Sequence, residues 1–370
     1  AENFQTRPPK NSNAIFRSTE VGCGVCLLSV NLYKIPKAGK IMQKNWLLVP
    51  AFLLAAGLGT AMAGEISKDE FDRLRAVDKL LRSHISEMES QLKASPSLKK
   101  YMKKYEAAVP KTVPQPVSDG EMAKMLAGAR YVMLGDEHTT ARSQANTVLV
   151  LKMMKAAKEP VTLVIEWVDV SFQKEIDAFL AGKIPVKDLK AKISFDKLWG
   201  FSWADYAKIL SAAKQLKVPV LLTERLKGTH SLSDRDSFIT STVAAHAKQN
   251  AGMRYLVVYG DYHILGPDHL SDKLAKAGLK PQLQLIGDAP EVYWKLLGKV
   301  KDPDKIGFAR LTDNIFYVVN GTPAERSLSY RNYLMKLLGY TKSDFEEWAG
   351  PADVKPKIGT SRSFDTLHRE

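Results

Sequence analysis

The chain has 370 residues, 45% of them apolar, which is enough to bury a large core and excludes a wholly disordered polymer. The formal net charge is +14; residues 1–63 hold 7 basic and 2 acidic residues, which leaves 47 against 38 in the remainder. The lysines are scattered along helical patterns and form no basic stripe interleaved with aromatics, which argues against nucleic acid as a partner.

Residues 1–41 show neither a helical nor a strand period and read as a non-structured extension, or an upstream mis-start ahead of Met42. Cys23 and Cys26 form a C-x-x-C pair, but no helical pattern and no further ligand residues follow it, so a redox or zinc role is not expected. From Met42 the chain reads MQKNWLLVPAFLLAAGLGTAMAGE. Lys44 precedes a short apolar run, and Ala61-Met62-Ala63 places small side chains where a signal peptidase needs them. Residues 42–63 are therefore expected to be a cleaved signal peptide, and the protein to work in the periplasm or cell envelope. The expected mature chain begins at Gly64 and contains no cysteine, so it offers no lipid-anchoring thiol.

Residues 64–118 read as a helical arm and linker. Phe71, Leu74, Val77, Leu81, Ile85, Met88 and Leu92 recur at three- and four-residue steps, which predicts an amphipathic helix over 66–92. A lysine-rich helix follows (Lys99, Lys100, Lys103, Lys104), and the proline-rich stretch 109–120 marks the linker.

Residues 119–350 alternate short apolar runs with helical patterns, and 351–370 read as a tail. The runs at 129–135, 161–167, 218–224, 254–260 and 281–287 are rich in Val, Ile and Leu, as strands buried on both faces are. Helical patterns at 143–157, 203–216 and 235–250 lie between them. The expected fold is α/β: an open, mainly parallel sheet of five or more strands with helices on both faces, plus the N-terminal helical arm. GFARLT and NIFYVV predict an edge hairpin around Asp313-Asn314.

Polar residues follow each strand: Gly135-Asp136-Glu137-His138, Glu166-Trp167, Glu224-Arg225, Gly260-Asp261-Tyr262-His263 and Gly287-Asp288. In an open parallel sheet these ends face one crevice, where ligands bind. The two Gly-x-x-His repeats are expected to use glycine to turn sharply off the strand. His138, Glu166 and His263 form a candidate divalent-metal set, with Glu137 or Glu166 as a general base acting on metal-bound water. Arg225 and Arg235 are candidates to offset carboxylate charge or clamp an anion. Tyr262 is a candidate phenolate ligand for haem iron, and His269 a supporting one. Trp167, Phe172, Trp199, Phe201, Trp203 and Tyr206 could pack the core or wall a flat ligand. There is no GxSxG elbow, P-loop or GxGxxG after a strand, which argues against serine hydrolase, NTPase and dinucleotide functions.

The blocks LGDEHTTARSQ, VIEW, FQKEIDAFLAG, WGFSWADYAKILSAAKQLKVPVLLTER, SDRDSFITSTVAAH and YLVVYGDYHILGPDHL resemble, in order, those of the ChaN-like haem-binding family. That family shares an EreA/ChaN-like fold with erythromycin esterases and TIKI/TraB-like proteins. The resemblance implies haem or iron as cofactor, a role in iron uptake at the envelope, and homodimers. The alternative it leaves open is a metal-dependent hydrolase, to which His138, Glu166 and His263 correspond better. Many ChaN-like proteins are lipoproteins; the absence of a lipobox cysteine departs from that pattern and leaves membrane association undecided.

Overall fold

The structure, a computed structural model, describes residues 67–91, 95–157, 159–228, 230–300 and 307–339. The expected signal peptide, the cysteines and the expected C-terminal tail lie outside them. Eight strands are described: β1 (Gln115–Val117), β2 (Tyr131–Asp136), β3 (Val161–Asp169), β4 (Val220–Glu224), β5 (Arg254–Gly260), β6 (Leu283–Ile286), β7 (Phe308–Arg310) and β8 (Ile315–Val318). The helices are α1 (Lys68–Gln91), α2 (Pro96–Ala108), α3 (Asp119–Gly128), α4 (Ala141–Ala156), α5 (Gln173–Leu180), α6 (Val186–Lys192), α7 (Phe195–Leu198), α8 (Trp203–Gln215), α9 (Leu232–Gln249), α10 (Leu270–Lys276), α11 (Pro290–Leu297) and α12 (Pro323–Leu337).

The strands form one sheet in the order β1-β7-β8-β6-β2-β5-β3-β4. From β8 to β4 every neighbouring pair is parallel. β2, β3 and β5 are buried along their whole length, which explains why they read as continuous apolar runs. Their side chains still alternate between two cores. Val132 and Leu134 face α3, α4 and α8, whereas Tyr131 and Met133 face α9, α10 and α11. The fold is thus the α/β architecture expected, with helices on both faces. The arm is also helical: Ile85 and Met88 of α1 pack on Leu334 and Met335 of α12. Among the described residues no helix is long and apolar enough to cross a membrane.

Two expectations need correcting. The β7–β8 hairpin exists, but it is not at the edge: β8 pairs with β6 and β7 with β1. The proline-rich stretch 109–120 is more than a linker, because Gln115–Val117 supplies that edge strand. Pro116 is tolerated there, since an edge strand can leave one side of its ladder unpaired.

Local chemistry sets the helix boundaries. Ser118 with Glu121, and Thr322 with Glu325, form capping boxes that satisfy the first amides of α3 and α12. At the opposite ends, the buried Arg254 guanidinium donates to the carbonyls of Leu126, Ala129 and Met154, closing α3 and α4 against the start of β5.

Candidate functional site

The register places the two Gly-x-x-His turns side by side but staggered by one residue, with Gly135 opposite Tyr259 and Asp136 opposite Gly260. Neither glycine acts by turning the chain. Gly135 lies inside β2 without a positive φ, and Gly260 has φ −48°. Gly135 provides room instead: a Cβ there would meet Asp261 Oδ1 at 2.2 Å. The chain leaves β5 in a short 3-10 turn at Asp261–His263, and the Asp261 carboxylate passes directly over the strand beside it.

His138, Glu166 and His263 come together. His138 Nε2 lies 3.7 Å from Glu166 Oε2, and His263 Nε2 lies 3.9 Å from Glu166 Oε1. Glu166 sits where the β3–β4 register slips between Ile165 and Asp169, an irregularity that re-aims a side chain at a strand end. Each imidazole is oriented by a carboxylate at its other nitrogen: Asp136 at 2.8 Å from His138 Nδ1, and Asp236 at 2.7 Å from His263 Nδ1. The result is a buried row, Asp136–His138–Glu166–His263–Asp236. The three central side chains are at most 2% exposed.

Fixed donors hold this row in place. Asp136 also accepts from Tyr206 Oη, Ser143 Oγ and Gln144 Nε2. Burial alone would raise its pKa, but the adjacent His138 and these hydroxyls hold the carboxyl below its usual range. Glu166 accepts the Gly260 amide at 2.7 Å and Arg235 Nη2 at 3.2 Å. Its pKa is nonetheless raised, because burial outweighs the attraction of His138, His263 and Arg235. Arg235 grips Glu224 with two nitrogens, at 2.9 and 2.8 Å.

The other sequence candidates lie apart from this row. Glu137 turns to Arg326 of α12, which also reaches Asp288. Arg225 is exposed and lies over the Phe238 ring, 3.6 Å from its centroid. Tyr262 packs edge-on against Tyr105, and burial together with the Asp288 charge pushes its phenol well above the ordinary value. His269 is fully buried. Its Nδ1 meets the Tyr262 carbonyl at 2.7 Å, its Nε2 has no hydrogen-bond partner among the described residues, and burial lowers its pKa to about 4.

The same letters are wired differently in the two repeats. Asp136 orients the histidine of its own turn, whereas Asp261 accepts the Gly287 amide at 2.6 Å and leaves His263 to Asp236 of α9. Burial and the Asp288 charge push the Asp261 carboxyl up to about 7. Sequence reasoning placed Asp136 at the crevice and Tyr206 in the aromatic cluster without their roles in orienting His138, and missed Asp236 and Arg326, along with Tyr101 of α2, whose hydroxyl reaches both Asp236 (2.8 Å) and His263 Nδ1 (3.0 Å). Asp236 could have been noticed beside Arg235; the chain around Arg326 and Tyr101 carries no comparable signal.

Residues 122–224, from α3 to the end of β4, match the family described as haem-binding uptake, Tiki superfamily, ChaN. Over this segment the chain resembles that family. The ChaN-like segment contains His138 and Glu166; the His263–Asp236 pair lies beyond it. No curated protein matches the chain. Among solved structures, ChaN of Campylobacter jejuni with cofacial haem aligns at 12% identity, over 55% of this chain and 92% of that one, with a TM-score of 0.38. The type III effector HopBA1 aligns at 15% identity, over 48% and 86%, with a TM-score of 0.35. RRSP, a MARTX toxin effector domain from Vibrio vulnificus, aligns at 14% identity, over 56% and 45%, with a TM-score of 0.33. TM-scores this low carry no argument about what the chain does.

Two groups can be tested against these residues. Among the described residues no set of three or more His, Cys, Asp or Glu side chains is arranged to hold a metal ion. In the His138–Glu166–His263 row the imidazoles address opposite oxygens of Glu166, and the Arg235 cation already sits against that carboxylate. A porphyrin cannot enter this closed row either. The flat apolar surface beside it is the stacked pair Phe201 and Tyr333, both half-buried, with centroids 4.8 Å apart at 20°; Phe201 also touches the His138 ring.

Proposed function

We propose that the protein binds haem in the manner of the ChaN-like family and serves iron uptake. The porphyrin would lie at the C-terminal ends of the parallel strands, against Phe201 and Tyr333. The match of residues 122–224 to the haem-binding uptake family carries this reading. In it the protein is exported, cleaved after Ala63, and works in the periplasm or envelope, with dimers as the family resemblance implies. Titration of the chain from Gly64 with haemin tests it: a saturable Soret band is expected, and its absence removes the proposal. N-terminal sequencing of the periplasmic form tests the export step separately.

A second reading rests on the paired imidazoles. Two histidines, each oriented by an aspartate and facing one buried glutamate, are an arrangement suited to acid–base hydrolysis. In that reading Glu166 is the general base, since Glu137 is engaged by Arg326. A resident divalent metal would need His138, Glu166 and His263 to regroup. Metal analysis of the purified chain decides that point; loss of hydrolysis in Glu166→Gln, with folding intact, supports the enzyme.

A further inference from the structure

We propose that α2 is a lid on the strand-end crevice, with Tyr101 as its latch. The helix lies over the turn that follows β5. The Tyr101 hydroxyl bonds Asp236 and His263, and its ring stacks flat on His269, with centroids 3.7 Å apart at 6°. Tyr105, one turn on, reaches the Asp288 carbonyl at 3.0 Å and Asp261 Oδ1 at 3.4 Å. Lys104 holds the rim through Asp268 and the Pro267 carbonyl.

Three observations mark this cover as one that lifts. First, only Leu98 and Tyr105 of α2 are buried, and the hydroxyl and ammonium contacts of Tyr101, Lys104 and Tyr105 are ones that water can replace at small net loss. Second, the groups beneath keep partners of their own. His263 retains Asp236, and Asp261 retains the Gly287 amide, so departure of the two tyrosines does not dismantle the site. Third, with α2 in place the imidazoles of His263 and His269 are sealed from solvent. A ligand that reaches His263 has to pass here. The lid therefore rests on the reading in which a substrate is drawn to His263, and a porphyrin held against Phe201 and Tyr333 does not require it.

The test compares the full chain with the double variant Tyr101→Phe, Lys104→Ala, which removes polar latches and keeps the ring stack. Hydrogen exchange is read by mass spectrometry, and accessible imidazoles are marked with diethyl pyrocarbonate. Amides of residues 96–108 are expected to exchange while β2 and β5 stay protected. His263 and His269 are expected to react at least tenfold faster in the variant, while His138, under Trp199 and Phe201, does not change. Exchange of α2 only in step with β2 and β5 overturns the lid. So does unchanged labelling of His263 and His269, or labelling of His138 that rises with them. If the variant does not fold, wild-type exchange of α2 against β5 decides alone.

Discussion

Arg235 lies between two buried glutamates, 3.2 Å from Glu166 and 2.8 Å from Glu224, and its charge stabilises both in a region closed to water. Removing one partner of such a group leaves uncompensated carboxylates in low dielectric. Arg235→Met is expected to destabilise the protein by roughly 3–5 kcal/mol, read as a lowered denaturant midpoint. Restoring wild-type stability by adding Glu224→Gln would locate the penalty at Glu224; no recovery would place it elsewhere.

Gly135 and Asp261 give a steric prediction. A methyl group at Gly135 would stand 2.2 Å from Oδ1 and 2.5 Å from Cγ of a short, buried side chain that has little freedom to move. Gly135→Ala is expected to cost about 1–3 kcal/mol. Gly135→Ala combined with Asp261→Ala should recover part of that loss, and an additive double-mutant cycle would disprove the contact.

The pH dependence has two opposing parts. Asp261 has a folded pKa of about 7 against an unfolded value near 3.8, so its stabilising contribution is complete below the unfolded value and lost as pH rises through 7. His269, lowered from 6.5 to about 4, works the other way: its contribution is complete above 6.5 and lost as pH falls toward 4. Stability measured from pH 4 to 8 should therefore show a shallow profile in the wild type. Asp261→Asn removes the falling limb, a difference of up to ~4 kcal/mol between pH 4 and 7. A wild-type minus variant difference that is flat with pH contradicts the assignment.

The aromatic wall is testable by affinity. Phe201→Ala and Tyr333→Ala remove the stacked pair at the crevice mouth, and each is expected to weaken haemin binding at least tenfold in a Soret titration. Equal affinity in both variants would move the porphyrin elsewhere on the molecule.

Much of this architecture was legible in the chain because burial on both faces writes itself as Val-, Ile- and Leu-rich runs, and because polar residues collect where those runs end. The gathering of His138, Glu166 and His263 followed from that geometry. The carboxylates that orient the imidazoles were less legible. Asp136 and Asp261 occupy the same place in two similar motifs, and only the one-residue stagger between β2 and β5 separates their roles. Arg326 and Tyr101 come from helices distant in sequence from the groups they touch, whose docking depends on tertiary packing, and single side chains leave no periodic trace. The mid-sheet place of β8 was missed because sequence adjacency to β7 says nothing about its other neighbour.

β5 sits between β2 and β3 although it is made after both. A nascent chain that has finished β4 therefore carries the β3–β4 pair and a separate β2 with both flanks naked, and His138 and Glu166 have no fixed spacing. Arrival of residues 254–260 joins β2 to that pair and brings in His263 in the same event. Assembly of the site and the joining of these strands are thus one step, and a product truncated before β5 is expected to lack the site and to be adhesive.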